Sequence, residues 1–202
     1  MNAIISDNKK RISRAMYAAS LCEFFKESED SILGKLLQDG GNVEQTQTRA
    51  WVQQIGIIKA LSLPDHLAKI SHIYFEMTVP RLGRRADVVL LIDHVMFVIE
   101  FKVGERSISR HALDQVWDYA LDFKHFHDAS HGICIVPVLV ATEAATQVIN
   151  IEKTLHDDGL AKPLGVASSQ IAEVIDAGLM VLKGSTIDVA MWESGRYLPT
   201  PT

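Results

Sequence analysis

The 202-residue sequence lacks the cysteines that stabilise small secreted domains, since Cys22 and Cys134 are its only two. Both lie in apolar segments without metal-ligand spacing, so we expect neither a disulfide framework nor a zinc site. No apolar run reaches membrane-spanning length, because Asp93 and His94 interrupt the longest candidate. Basic residues interrupt the amino-terminal stretch in the same way, which argues against a signal peptide. We therefore expect a soluble, cytoplasmic protein without a membrane partner.

Positive charge is also scarce: the chain has 20 Lys and Arg residues and 25 Asp and Glu residues, which gives a net charge of -5. This balance excludes a protein that coats nucleic acid with a uniformly basic surface. Hydrophobic residues make up 48% of the chain and charged residues 22%, which is typical of a globular domain. Any contact with a polyanion must therefore come from a local basic patch.

Apolar residues recur at helical intervals in the first third of the chain. From Arg11 to about Gln38 they predict two helices with a break near Ser28. A third helix follows over residues 51–61 and is expected to end before Pro64.

The middle of the chain is rich in Val, Ile and Phe and predicts strands at Ile73–Val79, Ala86–Ile92 and Val95–Lys102. Three successive strands indicate an antiparallel meander. Ser107–Phe126 then returns to helical periodicity, and Ile133–Val140 is apolar enough for a strand buried on both faces. Pro137 favours an edge position or a bulge for that strand. Weaker patterns predict a helix at Thr146–His156, a short strand near Leu164 and a helix at Ser169–Ala177.

The hairpin predicted around Asp93 and His94 brings two carboxylates together. If these two residues form the turn, facing residues on its strands have numbers that sum to 187, and Asp87 faces Glu100. Their Cβ atoms would lie roughly 4.5 to 5.5 Å apart. Lys102, two residues after Glu100, projects to the same face.

Two adjacent carboxylates in apolar strands repel each other and are unfavourable to bury. A divalent cation bound between Asp87 and Glu100 would remove that conflict, and Mg²⁺ prefers one or two carboxylates completed by water and phosphate oxygens. Lys102 could then orient or deprotonate an attacking water, or offset charge that develops on a phosphate. The alternative is a surface hairpin in which the acids pair with Arg85 and Lys102.

The pattern formed by Asp87, twelve intervening residues and Glu100-Phe101-Lys102 resembles the PD-(D/E)xK nuclease superfamily. Ala86 stands where the motif often has Pro. The resemblance covers about residues 73–142. It implies a restriction-endonuclease-like core in which Asp87, Glu100 and the backbone carbonyl of Phe101 bind Mg²⁺ or Mn²⁺, with Lys102 as the third catalytic residue.

Gln115 and Tyr119 lie one helical turn apart on the following helix and resemble the QxxxY element of the RecB-like branch. The resemblance implies that both contact the nucleic-acid backbone beside the metal. Candidate nucleic-acid contacts nearby are Arg84, Arg85, Arg106, Arg110 and His111.

Glu76 and Glu44 are weaker candidates for additional acids at this site. Glu76 either joins the site or forms a salt bridge with Arg84 or Arg85, and we favour the salt bridge. Glu44 either lies near the metal or interacts with the amino-terminal dipole of the third helix, which is the interpretation we favour.

Together these features predict an α/β fold with a central mixed sheet, opened by an antiparallel meander and flanked by helices on both faces. We expect one domain over residues 1–196, followed by a linker-like tail at 197–202. Its parts are a helical segment at 1–66, a catalytic core at 70–142 and an αβ segment at 143–196.

The expected activity is metal-dependent hydrolysis of phosphodiester bonds, in DNA rather than RNA. The resemblance extends to nuclease-type domains that precede a P-loop helicase in bacterial proteins, so a linked or associated helicase domain is an expected partner, and self-association is left open. The chain contains no GxxxxGK[ST] motif of its own. The alternative is a catalytically silent domain of nuclease fold that binds nucleic acid or regulates a helicase.

Overall fold

The computed structural model describes residues 14–41, 43–79, 81–152 and 158–198. Six strands form one open sheet in which spatial order follows chain order. Strands β1 to β4 are antiparallel neighbours, whereas β5 and β6 continue the sheet in parallel. The strands are β1 (Tyr17–Ser20), β2 (His72–Val79), β3 (Arg84–Ile92), β4 (Val95–Lys102), β5 (Cys134–Ala141) and β6 (Leu164–Ala167).

Helices cover both faces of this sheet and create two apolar cores. One core packs the face of β2 to β5 against the helices that precede β2 and against α6, and the other packs the opposite face against α5 and α7. The helices are α1 (Leu21–Lys26), α2 (Glu29–Gly40), α3 (Gln45–Lys59), α4 (Asp65–Ile70), α5 (Arg110–Phe126), α6 (Ile171–Val181) and α7 (Val189–Ser194). The predicted mixed α/β architecture with a meander is therefore confirmed.

Local sequence signals account for several helix boundaries. Ser20, Ser28 and Ser109 cap α1, α2 and α5, each accepting a hydrogen bond from a backbone N–H in the first turn. The predicted break near Ser28 is thus confirmed. None of the helices in the described ranges combines the length and apolar character needed to cross a bilayer.

The amino-terminal segment is not wholly helical, which corrects the prediction for residues 1–66. Tyr17–Ser20 forms β1 and pairs with β2, Tyr17 opposite Phe75. Apolar spacing alone suggested a helix here, but the strand leaves Ser20 free to cap α1. The helix α4, directly after Pro64, was not predicted. Residues 11–13 of the predicted first helix lie outside the described residues.

Pro137 lies in an inner strand, so the predicted edge position is wrong. The Ile135 N–H donates to the Gly159 carbonyl on the β6 side, and alternate residues of a strand point the same way. The backbone nitrogen of Pro137 therefore points toward β6. It lies one residue before the β5–β6 ladder, which begins with the pair of Val138 and Leu164. The missing N–H of proline costs no ladder hydrogen bond at this position.

Two predictions in the carboxy-terminal third need correction. Residues 146–152 form no helix, because the Gln170 side chain bonds both the N–H and the carbonyl of Gln147 at 2.8 and 2.7 Å. Residues 153–156 of that predicted helix lie outside the described residues. Tyr197 bridges His127, and the Leu198 N–H donates to the Phe126 carbonyl, so neither behaves as a linker. Residues 199–202 of the predicted tail also lie outside the described residues.

Candidate active site

The β3–β4 hairpin has the predicted register. Ile92 faces Val95 across the turn, and the ladder continues to the pair formed by Val88 and Ile99. Asp93 takes a positive φ of 51° in this turn, which suits a two-residue connection. Asp87 and Glu100 fall one position beyond the last pair, where the two strands stop hydrogen bonding.

Asp87 fills the gap that opens at the end of this ladder. Its Oδ2 accepts a hydrogen bond of 2.8 Å from the Phe101 N–H. The N–H and C=O groups of one strand residue point toward the same neighbour, so the Phe101 carbonyl also faces β3 past the last pair. The predicted carbonyl ligand therefore lies beside the Asp87 carboxylate.

Glu100 lies on the α5 side of the sheet and is only 5% exposed. Its Oε1 accepts hydrogen bonds from Lys102 Nζ at 2.8 Å and from Gln115 Nε2 at 2.7 Å. Its Oε2 is buried without a hydrogen-bond partner among the described residues. A buried carboxylate oxygen without a donor is unfavourable and requires an explanation.

The two polar residues predicted on α5 belong to the same network. Gln115 Oε1 accepts from Lys102 Nζ at 3.1 Å, and Gln115 Nε2 also donates to the Tyr119 hydroxyl at 2.8 Å. Gln115 on α5 thus forms hydrogen bonds with both Lys102 and Glu100 on β4. The Tyr119 hydroxyl in turn accepts a hydrogen bond from Gln115 and fixes its position. The predicted QxxxY element faces the carboxylates.

Burial makes ionisation unfavourable for every acid in this region. The pKa of Asp87 is raised well above its usual value, first by burial and then by the Glu100 charge. Burial also raises the pKa of Glu100, although Lys102 opposes the effect. The pKa of Tyr119 is raised mainly by burial. A bound cation would relieve this conflict by favouring the charged carboxylates.

Glu76 lies on β2 at the register position opposite Asp87, and the predicted salt bridge with Arg84 or Arg85 is absent among the described residues. Instead its Oε1 accepts hydrogen bonds from Trp51 Nε1 at 2.7 Å and Gln47 Nε2 at 3.0 Å. Burial raises the pKa of this carboxyl as well.

Glu76 has a φ of 52°, a conformation that side chains rarely adopt within a strand. The alternation of faces shifts by one residue there, because Tyr74 and Met77 pack into the same core while Phe75 packs into the other. β3 shifts in the same way, since Ala86 and Val89 share a core. The two shifts place Glu76 and Asp87 off the regular pleat.

Sequence reasoning missed Gln47 and Trp51 as parts of this region. Trp51 lies at the start of the predicted third helix and is 1% exposed. Its hydrogen bond to Glu76 links residues 25 positions apart, so no local pattern signals it. Gln47 is a polar residue in the first turn of α3 and carries no motif.

The remaining candidates lie around this centre without joining its hydrogen bonds. Glu44 is the exposed N-cap residue of α3, with no side-chain cap bond. Arg106 is paired with Glu143 at 3.0 Å on the surface. The exposed residues Arg84 and Arg85 begin β3, whereas Arg110 and His111 begin α5 and are also exposed.

An open pocket of ≈ 510 Å³ lies directly against Asp87. Its walls include Glu76, Arg84, Arg85 and Gln47. The candidate carboxylate is therefore accessible from a cavity large enough for a small ligand.

The described residues contain no group of three or more His, Cys, Asp or Glu side chains placed to hold a metal ion. The predicted ligands are two carboxylates and one carbonyl, a set that Mg²⁺ completes with water and phosphate oxygens. Comparison of the chain with known protein families, curated proteins and solved structures finds no match.

Proposed function

We propose that this protein is a metal-dependent nuclease that hydrolyses phosphodiester bonds in DNA. The observation that carries the proposal is the Glu100 Oε2 atom, buried without a partner next to the Lys102 ammonium group. A purely structural carboxylate would have its second oxygen hydrogen-bonded or in solvent. An unsatisfied carboxylate oxygen, on a residue whose charge acts on Asp87, is the kind of ligand that a hard cation selects.

The residues present fit Mg²⁺ or Mn²⁺. Asp87, Glu100 and the Phe101 carbonyl would hold the ion. When bound, it would supply a Lewis acid and lower the pKa of a coordinated water. The same ligands are all oxygen atoms, as both metals prefer.

Lys102 is fixed by two hydrogen bonds, to Glu100 and Gln115, and keeps a third N–H for a substrate. Its charge can orient the attacking water or stabilise the negative charge that develops on a phosphate. Tyr119, behind Gln115, limits the movement of that amide. Arg84 and Arg85 offer positive charge at the pocket for the polyanionic backbone.

The test is cleavage of plasmid DNA and labelled oligonucleotides in Mg²⁺, in Mn²⁺ or in EDTA. We expect cleavage with either metal and none in EDTA. Lys102→Met should lower the rate by about 100-fold or more. Lys26→Met removes an exposed charge on α1 and is the matched control, expected to leave the rate unchanged.

Full activity in Lys102→Met would contradict the assigned chemistry. DNA binding by the wild type without cleavage in either metal would instead indicate a catalytically silent domain of nuclease fold.

A further inference from the structure

The pocket beside Asp87 is one end of a longer groove. Two further cavities, of ≈ 310 and ≈ 200 Å³, adjoin it, and Glu76 and Arg85 line all three. The groove runs between the start of β3 and the amino-terminal end of α3, where Glu44 and Thr46 line it.

Glu76 is held in this groove by specific bonds. Trp51 and Gln47 both donate to Oε1, while Oε2 has no hydrogen-bond partner among the described residues and is not fully buried. Its positive φ is a strained conformation for a residue other than glycine, and such strain persists where the surroundings impose it, often at functional sites. An oriented acceptor is thus presented to the groove at the position opposite Asp87.

Acidic residues outnumber basic ones in the cavity at the amino-terminal end of α3, where Glu44 and Glu76 lie with Arg85. The other two cavities hold as many arginines as acids: Arg84 and Arg85 line the one that contains Asp87 and Glu76, and Arg14 and Arg85 line the one that contains Asp39 and Glu76. The excess negative charge of the first cavity disfavours a phosphate there. A nucleobase is not repelled, because its amino groups donate hydrogen bonds to carboxylates.

We propose, on the basis of the nuclease function above, that this groove binds one unpaired nucleobase that carries an amino group, next to the scissile phosphate. The volume suits a single base and sugar. A base stacked and paired in a duplex cannot enter such a pocket, so the preferred substrate is single-stranded or locally unpaired. Thymine fits poorly, since it presents carbonyl oxygens where cytosine and adenine present amino groups.

The experiment measures binding of fluorescent oligodeoxycytidine and oligothymidine of equal length by anisotropy, with Ca²⁺ in place of Mg²⁺. We expect the cytidine strand to bind at least about tenfold more tightly, corresponding to one hydrogen bond between a base and a charged acceptor. Thr46→Trp places a large side chain in the cavity that Thr46 and Glu76 both line and should abolish that difference. Gln45→Trp, on α3 outside the groove walls, is the control that should keep it.

Equal affinity for the two strands, or a preference that survives Thr46→Trp, would overturn the proposal. The result is separable from the nuclease test. A preference that disappears in Thr46→Trp supports the base pocket even without cleavage. Metal-dependent cleavage without a preference for cytidine over thymidine supports the nuclease function and contradicts the base-binding pocket.

Discussion

Asp87 and Glu100 are carboxylates placed where ionisation is unfavourable, because burial raises the pKa of both. Lys102 compensates only part of this negative charge, since it donates a hydrogen bond to a single oxygen of Glu100. Without a bound ligand, the protein therefore buries two neighbouring carboxylates at an electrostatic cost, and this conflict does not contribute to its stability. At the scale of single residues, the conflict is the strongest sign of a site that binds a cation.

Removing the Asp87 charge should stabilise the metal-free protein. Its raised pKa means that the folded chain binds the proton more tightly than the unfolded chain, so stability falls as the pH rises from about 4 through the folded pKa. In EDTA at a pH of about 8, Asp87→Asn should raise the free energy of unfolding by about 1 kcal/mol or more. Urea denaturation measures this change.

The gain should shrink as the pH falls through the folded pKa toward about 4, because Asp87 is then uncharged in the folded protein, like the asparagine that replaces it. Asp118→Asn, an exposed position on α5, is the matched control and should change little. A constant difference across the pH range would show that the ionisation of buried Asp87 does not cause the gain.

Among the helices and strands, the features that could be predicted from the sequence are those that depend on a local pattern of residues. The β3–β4 register followed from Asp93 and His94 as a two-residue turn, and Ser28 marked the break between α1 and α2. The shift in pleat at Glu76 could not be predicted, because Tyr74 to Met77 reads as an ordinary strand. At the shifted position Glu76 accepts a hydrogen bond from Trp51, which is distant in sequence.

That contact gives a prediction for the α3–β2 pair. Trp51→Phe keeps most of the buried ring but removes the N–H that donates to Glu76 Oε1. The loss of a hydrogen bond to a buried charged group should lower the free energy of unfolding by about 2 kcal/mol. Val52→Ala, an exposed neighbour on the same helix, should change it by less than about 0.5 kcal/mol. Similar values for both variants in denaturant titrations would argue against the assigned role.

Across the whole molecule, the order from β2 through α5 to β5 and the two helical layers were predictable, whereas β1, α4 and the irregular segment 146–152 were not. β1 spans four residues, too few to show a period. Tyr197 contacts Phe123 of α5 and His127, whose ring also contacts Trp192 of α7, and no sequence motif announces these contacts. In the candidate site, the acids and Lys102 followed from strand spacing, but Gln47 and Trp51 depended on how the layers pack.

The carboxy-terminal contacts centre on His127, which is 1% exposed. Ser130 lies 2.7 Å from its Nδ1 and accepts from Trp192 Nε1 at 2.9 Å. Burial lowers the pKa of His127 to about 4. The unfolded chain binds the proton with a pKa of about 6.5, so stability is lost as the pH falls from about 6.5 to about 4.

His127→Gln should therefore reduce the dependence of stability on pH in that window. The wild type is expected to lose about 3 kcal/mol more than the variant between the two limits, because one pKa unit corresponds to about 1.4 kcal/mol. His125→Gln, on the exposed side of α5, should keep the wild-type slope. Parallel slopes for His127→Gln and the wild type in urea denaturation would contradict this role.

We propose that Asp87 and Glu100 bind a divalent cation, and calorimetric titration with Mn²⁺ measures this binding without relying on cleavage. The wild type and Asp87→Ala should be titrated in parallel after removal of metal, with folding of both checked by circular dichroism. We expect saturable binding at millimolar Mn²⁺ or below in the wild type and none in Asp87→Ala. Absence of binding in the wild type, or equal binding in the two folded proteins, would contradict the metal site.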